Sequence, residues 1–175
     1  MKTIKLNFLS GLTFFLFATV ITINSCNREE LNPGPVPEDT QLMQAIADTA
    51  DYQYTVFHPT IVQSVSNSPR EFERVRINTI GNGVLDNNGR LPKGTIFPNG
   101  TIIVKEAFDG LNGNLIQYAI MKKETSNKYA RNGWLWYEVN VDGTKPYSIG
   151  MKGQKCINCH TKPANTDATR TFDLR

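Results

Sequence analysis

The sequence predicts an α+β fold, a mainly antiparallel β-sheet with flanking helices, and three observations carry that expectation. Apolar residues recur at three and four residue spacings just after residue 39. From Arg70 onward the chain breaks into short apolar or alternating runs divided by glycine and asparagine turns. Roughly 135 residues remain once an export segment and a spacer are set aside, a normal length for one domain, and no internal repeat divides them.

Lys2 and Lys5 precede an apolar run from Phe8 to Ile23. A basic start followed by such a run predicts an export signal over residues 1–25, to be excluded from the fold. The run ends at Ile23-Asn24-Ser25-Cys26, a small residue before a cysteine, which resembles the lipobox of bacterial lipoproteins; Cys26 would then be acylated and become the mature N-terminus. Asn24 departs from the small or apolar residue usual there. The alternative is an uncleaved membrane anchor, since the run is nearly long enough to span a bilayer. Either way the remainder is expected outside the cytoplasm, in the periplasm or cell envelope and tethered to a membrane. Using Cys26 in this way leaves Cys156 and Cys159 and no cysteine for a structural disulfide, so the fold must rest on packing.

Residues 26–38 combine charges with Pro33, Pro35 and Pro37 and lack a large apolar cluster, which predicts an extended spacer. The domain is expected over 39–175. Loss of Lys2 and Lys5 lowers the formal charge from +3 to +1, and no concentrated basic face marks a nucleic-acid binder.

Leu42, Ala45, Ile46 and Ala50 share one helical face, with Asp39 or Thr40 placed to cap. Between Tyr54 and Val65, aromatic and β-branched residues mix with His58-Pro59, and helix and irregular structure both remain open. Strands are expected over Phe72–Ile77, Thr101–Phe108, Leu115–Lys123 and Trp134–Val141. Gly81-Asn82-Gly83, Asn87-Asn88-Gly89, Asn99-Gly100, Asn112-Gly113 and Asp142-Gly143 supply the residues that tight turns require. On the first strand Arg74 and Arg76 share one face and Val75 and Ile77 the other; Trp134 and Trp136 share a face in the same way.

Near the end of the chain stands Cys156-Ile157-Asn158-Cys159-His160. Two thiols three positions apart can each add across a vinyl group of haem, with the adjoining imidazole as axial ligand; this is the c-type attachment pattern. A zinc site needs about four ligands, and the other Cys and His are Cys26 and His58 alone. The motif lies late, with fifteen residues after His160. Small electron-carrying cytochromes c bind haem near the N-terminus, and four-helix cytochromes c′ lack strands, so a third haem fold is expected.

Phe97-Pro98-Asn99-Gly100-Thr101, Ile103-Val104-Lys105-Glu106, Gly133-Trp134-Leu135-Trp136-Tyr137-Glu138, Cys156 to His160 and Thr166-Asp167 follow one another in an order that resembles the cytochrome P-460 family, over about Phe72 to Phe172. The resemblance implies a mainly antiparallel β domain binding one haem c, with histidine below the iron and an open face above. Its enzymes oxidise hydroxylamine, and the related cytochromes c′-beta bind nitric oxide and similar gases. It further implies a redox partner protein and a small nitrogen-containing ligand. Dimers are common in the resembling family, and no stretch of this sequence marks an interface.

In those enzymes a lysine is joined to the porphyrin edge, and the motif carries this onto Lys105. Read from the residues, Lys105 shares a strand face with Ile103 and Ala107, an uncomfortable place for a charge unless it snorkels to water. The enzymes also place a carboxylate above the iron as general base; counting back from Trp134, the matching position is Tyr118, which departs from the family, with Glu124 nearby. Tyr118 would offer a hydroxyl to a ligand or fill the pocket. Arg74 or Arg76 would reach the cavity or a haem propionate, or lie on a solvated sheet face. His58, Met43, Met121 and Met151 are the sixth-ligand candidates, against packing as the commoner role. Arg170 stands where an aromatic residue is expected after Thr166-Asp167. A haem oxidoreductase, a gas-binding protein without turnover and a plain electron carrier are the competing functions.

Overall fold

The computed structural model describes residues 34–64, 68 and 70–170. The expected export signal, Cys26 and most of the spacer lie outside these residues. Among the described residues no helix is long and apolar enough to cross a membrane.

The first element is helix α1, Pro37–Ala47. Proline suits a first helical turn because its missing N–H would go unpaired there. The helix therefore begins inside the stretch expected to be spacer. Asp39 caps it from within: its carboxylate accepts a hydrogen bond from the Val36 amide at 3.2 Å. The same carboxylate accepts from Ser148 Oγ at 2.9 Å and from the Ile149 amide at 2.9 Å. One fully buried acid thus ties the helix start to the segment that leads into the cysteine motif.

The segment left open between Tyr54 and Val65 is neither long helix nor wholly irregular. It begins at the end of strand β1, Tyr52–Tyr54, and contains strand β2, Val62–Gln63, both antiparallel to β3, Phe72–Asn78. After β3, Gly81-Asn82 belongs to one helical turn, α2 (Thr79–Asn82), because Asn78 Oδ1 accepts from the Gly81 amide and starts a helix where a plain turn was expected. Strands β4, Ile102–Phe108, β5, Leu115–Lys123, and β6, Trp134–Asn140, complete an antiparallel sheet in the order β1-β3-β4-β5-β6, with β2 beside β3. A short 3-10 turn, Ile149–Met151, and helix α3, Ile157–His160, follow. The predicted α+β architecture, a mainly antiparallel sheet with flanking helices, is observed.

Strand alternation divides the sheet into two chemically different faces. On one, Leu42 and Ile46 of α1 pack on Ile102, Val104, Ile120, Leu135, Tyr137 and Val139. On the other, Val75, Ile77, Ile103, Met121, Trp134 and Trp136 are covered by Leu91, Phe97 and Tyr147, with Cys156 and Ala168 against them. Each fully buried aliphatic side chain contributes on the order of 1.5–3 kcal/mol. With no disulfide among the described residues, these two layers hold the sheet.

Candidate functional site

The second face does not close completely. A cavity of about 110 Å³, partly open to solvent, lies between β3–β6 and the C-terminal segment. Val75, Ile103, Ala119, Met121 and Trp136 form its apolar wall, Lys105 and Glu138 supply charge, and Cys156 and His160 stand at its edge.

Tyr147 holds the approach to this edge. It bridges Glu138 at the margin of β6, and its hydroxyl donates to the Met151 carbonyl at 3.0 Å while accepting from the Lys155 amide at 3.4 Å. Burial pushes its phenol up to about 12, so it stays protonated. Gly153 then turns the chain with φ +68°, and a Cβ there would lie 2.5 Å from the Trp136 ring. Only glycine combines that angle with that approach. The Gly153 carbonyl accepts from the Cys156 and Ile157 amides and starts α3.

Cys156 and Cys159 are both unpaired, the first half-buried and the second exposed. Burial, then the Glu138 and Cys159 charges, push the Cys156 thiol up to about 12. His160, one residue further, stacks edge-on against Trp136 with ring centroids 4.8 Å apart. Its Nδ1 lies 2.9 Å from the Ala168 carbonyl oxygen. A carbonyl can only accept, so Nδ1 carries the proton and Nε2 keeps its lone pair. Burial lowers the His160 pKa and favours this neutral form, with the Ala168 hydrogen bond acting against it.

Ala168 is itself fixed. The Asp167 carboxylate accepts from the Phe97 amide at 2.9 Å and from Lys123 Nζ at 2.5 Å, and the Asp167 carbonyl accepts from Trp134 Nε1 at 2.8 Å. Asp167 and Ala168 both adopt positive φ, 47° and 58°. Sheet, tail and imidazole therefore form one connected set of hydrogen bonds.

Lys105 reaches the cavity from β4 and is not a strand-end lysine extended into water. Its Nζ is ion-paired with Glu73 and donates to Ser68 Oγ. Glu73 lies diagonally across the strand pair, since Val75 faces Lys105 and Glu73 faces Ala107. Its second oxygen takes His58 Nε2 at 3.2 Å. Burial alone would raise the Glu73 carboxyl, but the His58 hydrogen bond and the Lys105 charge outweigh it and hold the group down at about 2. Glu138 moves the other way: burial raises it, and the cations around it, Arg70, Lys105 and Lys155, offset only part.

Of the other residues singled out in the sequence, Tyr118 and Arg74 are not brought to this cavity. Tyr118 pairs with Val139 on the face opposite Ala119 and packs toward the α1 layer. Arg74 shares that face, bonding Glu106 Oε2 through Nε and Nη2, both at 2.7 Å. Arg76 completes the cluster from within the protein, 4 % exposed, and so does not lie on a solvated face. Glu124 pairs with Lys122 at 2.9 Å. Among the sixth-ligand candidates Met121 lines the cavity, Met151 packs beside its core layer, Met43 sits on the α1 side and His58 is engaged with Glu73. Among the described residues no three His, Cys, Asp or Glu side chains converge on a metal position. Glu138, Glu73, Tyr147 and the supporting role of Asp167 were not assigned from sequence. Alternation with Trp134 and Trp136 already carried the signal for Glu138.

Compared with known proteins, the chain matches the family profile described as Cytochrome P460 over residues 49–171. No curated protein matches it.

Proposed function

The chain belongs to the cytochrome P460 family, a haem-associated redox family, and on that premise we propose that it is an exported, membrane-tethered protein carrying one haem c. Cys156 and Cys159 would hold the porphyrin through thioether bonds and His160 would ligate the iron. When bound, the haem supplies a metal centre that exchanges electrons with a partner protein and holds a small nitrogen compound, hydroxylamine or nitric oxide, at an open position.

One observation carries this reading. His160 presents an unprotonated Nε2 from an imidazole whose Nδ1 is tied to Ala168; it stands with the unpaired Cys156 at the edge of a cavity with an apolar wall, and the unpaired, exposed Cys159 precedes it in the chain. That donor set fits a porphyrin, which provides the remaining metal ligands itself, and a backbone partner on Nδ1 is the usual way a ligating imidazole is oriented.

The surrounding side chains have separate tasks. Trp136 holds the His160 ring, and the apolar wall would pack against the bound group. Glu138 lines the cavity, and burial raises its carboxyl pKa above the usual value; a carboxyl so placed would take and return a proton. Gas binding without turnover is the second reading, favoured by the apolar wall; stable ligation of nitric oxide with no oxidation of hydroxylamine distinguishes it.

The test is the intact mass and haemochrome spectrum of the full chain made in cells that mature c-type cytochromes. We expect one haem per chain, lost in Cys156→Ser/Cys159→Ser, and an N-terminus at acylated Cys26. A colourless wild type with the mass of its amino acids alone sinks the haem reading. An unmodified Met1 in the purified chain sinks the lipid tether.

A further inference from the structure

Charge is distributed unevenly along the described chain. Residues 34–142 carry twelve acidic and ten basic side chains, net −2, whereas residues 143–170 carry one acidic against five basic, net +4. That one acid, Asp167, is paired with Lys123 inside the protein. Lys152, Lys155 and Lys162 are exposed, and none of the three is ion-paired among the described residues. They bracket the cysteine motif. Lys152 precedes Gly153, which closes on the Trp136 ring, Lys155 precedes Cys156, and Lys162 follows His160 by two residues. The charge of Lys155 acts on Glu138 and that of Arg170 on His160, so the excess is centred on the motif. Between these cations Asn158, Cys159, Thr161, Pro163 and Ala164 are exposed and uncharged.

We infer that this cationic face around Cys159 is the docking surface for an acidic redox protein, the electron partner of the haem reading, on which the inference rests. An uncharged centre with a charged rim is the anatomy of a transient protein interface, and unpaired rim cations speed the encounter with a partner of opposite charge. Cys156 is half-buried and Cys159 exposed, so a thioether at Cys159 would bring a porphyrin edge to the middle of the face. One electron then passes between the iron and a one-electron carrier seated there, the iron becoming ferric as the carrier is reduced. Anionic lipid also attracts lysines, but a segment lying on a membrane sinks large apolar side chains into it. The exposed large hydrophobic residues of the described chain all lie outside residues 143–170.

Measurements on the full holoprotein in detergent micelles test this. Tris(oxalato)chromate(III), a redox-inert paramagnetic trianion, is expected to broaden the amide signals of residues 152–162 more than those of any other stretch, and the effect should vanish in Lys152→Glu/Lys155→Glu/Lys162→Glu. In stopped-flow oxidation of the ferrous protein at low ionic strength, the same variant should react about tenfold or more slowly with an acidic cupric plastocyanin and faster with a basic ferric cytochrome c. Lys93→Glu/Lys128→Glu, at two other exposed lysines, should change either rate by less than about twofold, since screening confines the effect to nearby charges. If the charge-reversed chain accumulates poorly, Lys152→Gln/Lys155→Gln/Lys162→Gln carries the comparison. Unaltered rates, or rates altered as much by the Lys93 and Lys128 pair, overturn the inference. So does protection of Lys152, Lys155 and Lys162 from acylation, relative to Lys93, in nanodiscs of phosphatidylglycerol but not of phosphatidylcholine, which assigns the face to lipid. A colourless chain refutes the haem reading beneath, whereas a coloured one whose chromate broadening lies elsewhere refutes the docking face alone.

Discussion

Strands β3 and β4 carry two carboxylate–cation clusters at adjacent positions, one on each face of the sheet. Glu106 takes Arg74 and Arg76 on the α1 side; Glu73 takes Lys105 and His58 on the cavity side. The first is braced by aromatic rings and by α1, although the Arg74 side chain is still 29 % exposed. Arg74 lies 4.2 Å over the Tyr54 ring, Arg76 lies 4.6 Å over Tyr52, and Arg76 Nη2 donates to the Ile46 carbonyl at 3.1 Å, which ties the cluster to α1. Planar guanidinium groups suit such a stacked and forked arrangement. The second uses a flexible ammonium and leaves one side of it open to the cavity. Charge compensation alone does not separate the two; what differs is that Lys105 lines the cavity and Arg74 and Arg76 do not.

Glu106→Ala is the harshest way to break this contrast. It leaves Arg76, 5 % exposed at its side chain, and Arg74 without their acid, a loss of about 3–5 kcal/mol of the kind seen when one member of a buried pair is removed. Denaturant unfolding should register that loss, while the spectrum of the folded fraction stays that of the wild type. A spectral change as large as the stability change would mean that the two faces are not independent.

Asp167→Ala should have a smaller effect on stability and a larger one on the site. It removes the ion-pair partner of buried Lys123 and the acceptor of the Phe97 amide, on the order of 1–3 kcal/mol for lost buried hydrogen bonds, and it loosens the tail whose Ala168 carbonyl orients His160. A shifted midpoint potential of the haem accompanying the lower melting temperature is expected. A lower melting temperature with an unchanged potential would reduce Asp167 to a packing role.

Legibility followed the range of the interaction. The four long strands and the α1 pattern are local, and the structure has them within two or three residues of their expected bounds. Alternation also put Lys105 with Ile103 and Ala107, and Trp134 with Trp136, on common faces. What Lys105 pairs with was not legible, because Glu73 reaches it only through the register that sets Val75 opposite Lys105. Tyr118 was matched by counting residues from Trp134, a count that fixes a position but not a face; the pairing of Ala119 with Glu138 turns Tyr118 away. Arg76 reads as a solvated charge until α1, thirty residues earlier, supplies the Ile46 carbonyl.

The gentlest probe of the contrast is acid. Glu73 is held at about 2 in the folded protein against 4.5 for the free group, so the unfolded chain binds its proton first as pH falls. The stabilisation from this carboxylate is complete above about 4.5 and is lost progressively as pH drops through about 2. Melting curves between pH 5 and pH 2 should therefore be shallower in Glu73→Gln than in wild type, because the variant has no proton to take up at that position. Protonation should also release Lys105 from its partner, so acid should raise the mobility of the lysine, read by NMR of the labelled side chain, before the sheet itself melts. Equal acid sensitivity in wild type and Glu73→Gln would mean that another carboxylate governs the acid limb and that the cavity-side cluster is no more responsive to protons than the one around Glu106.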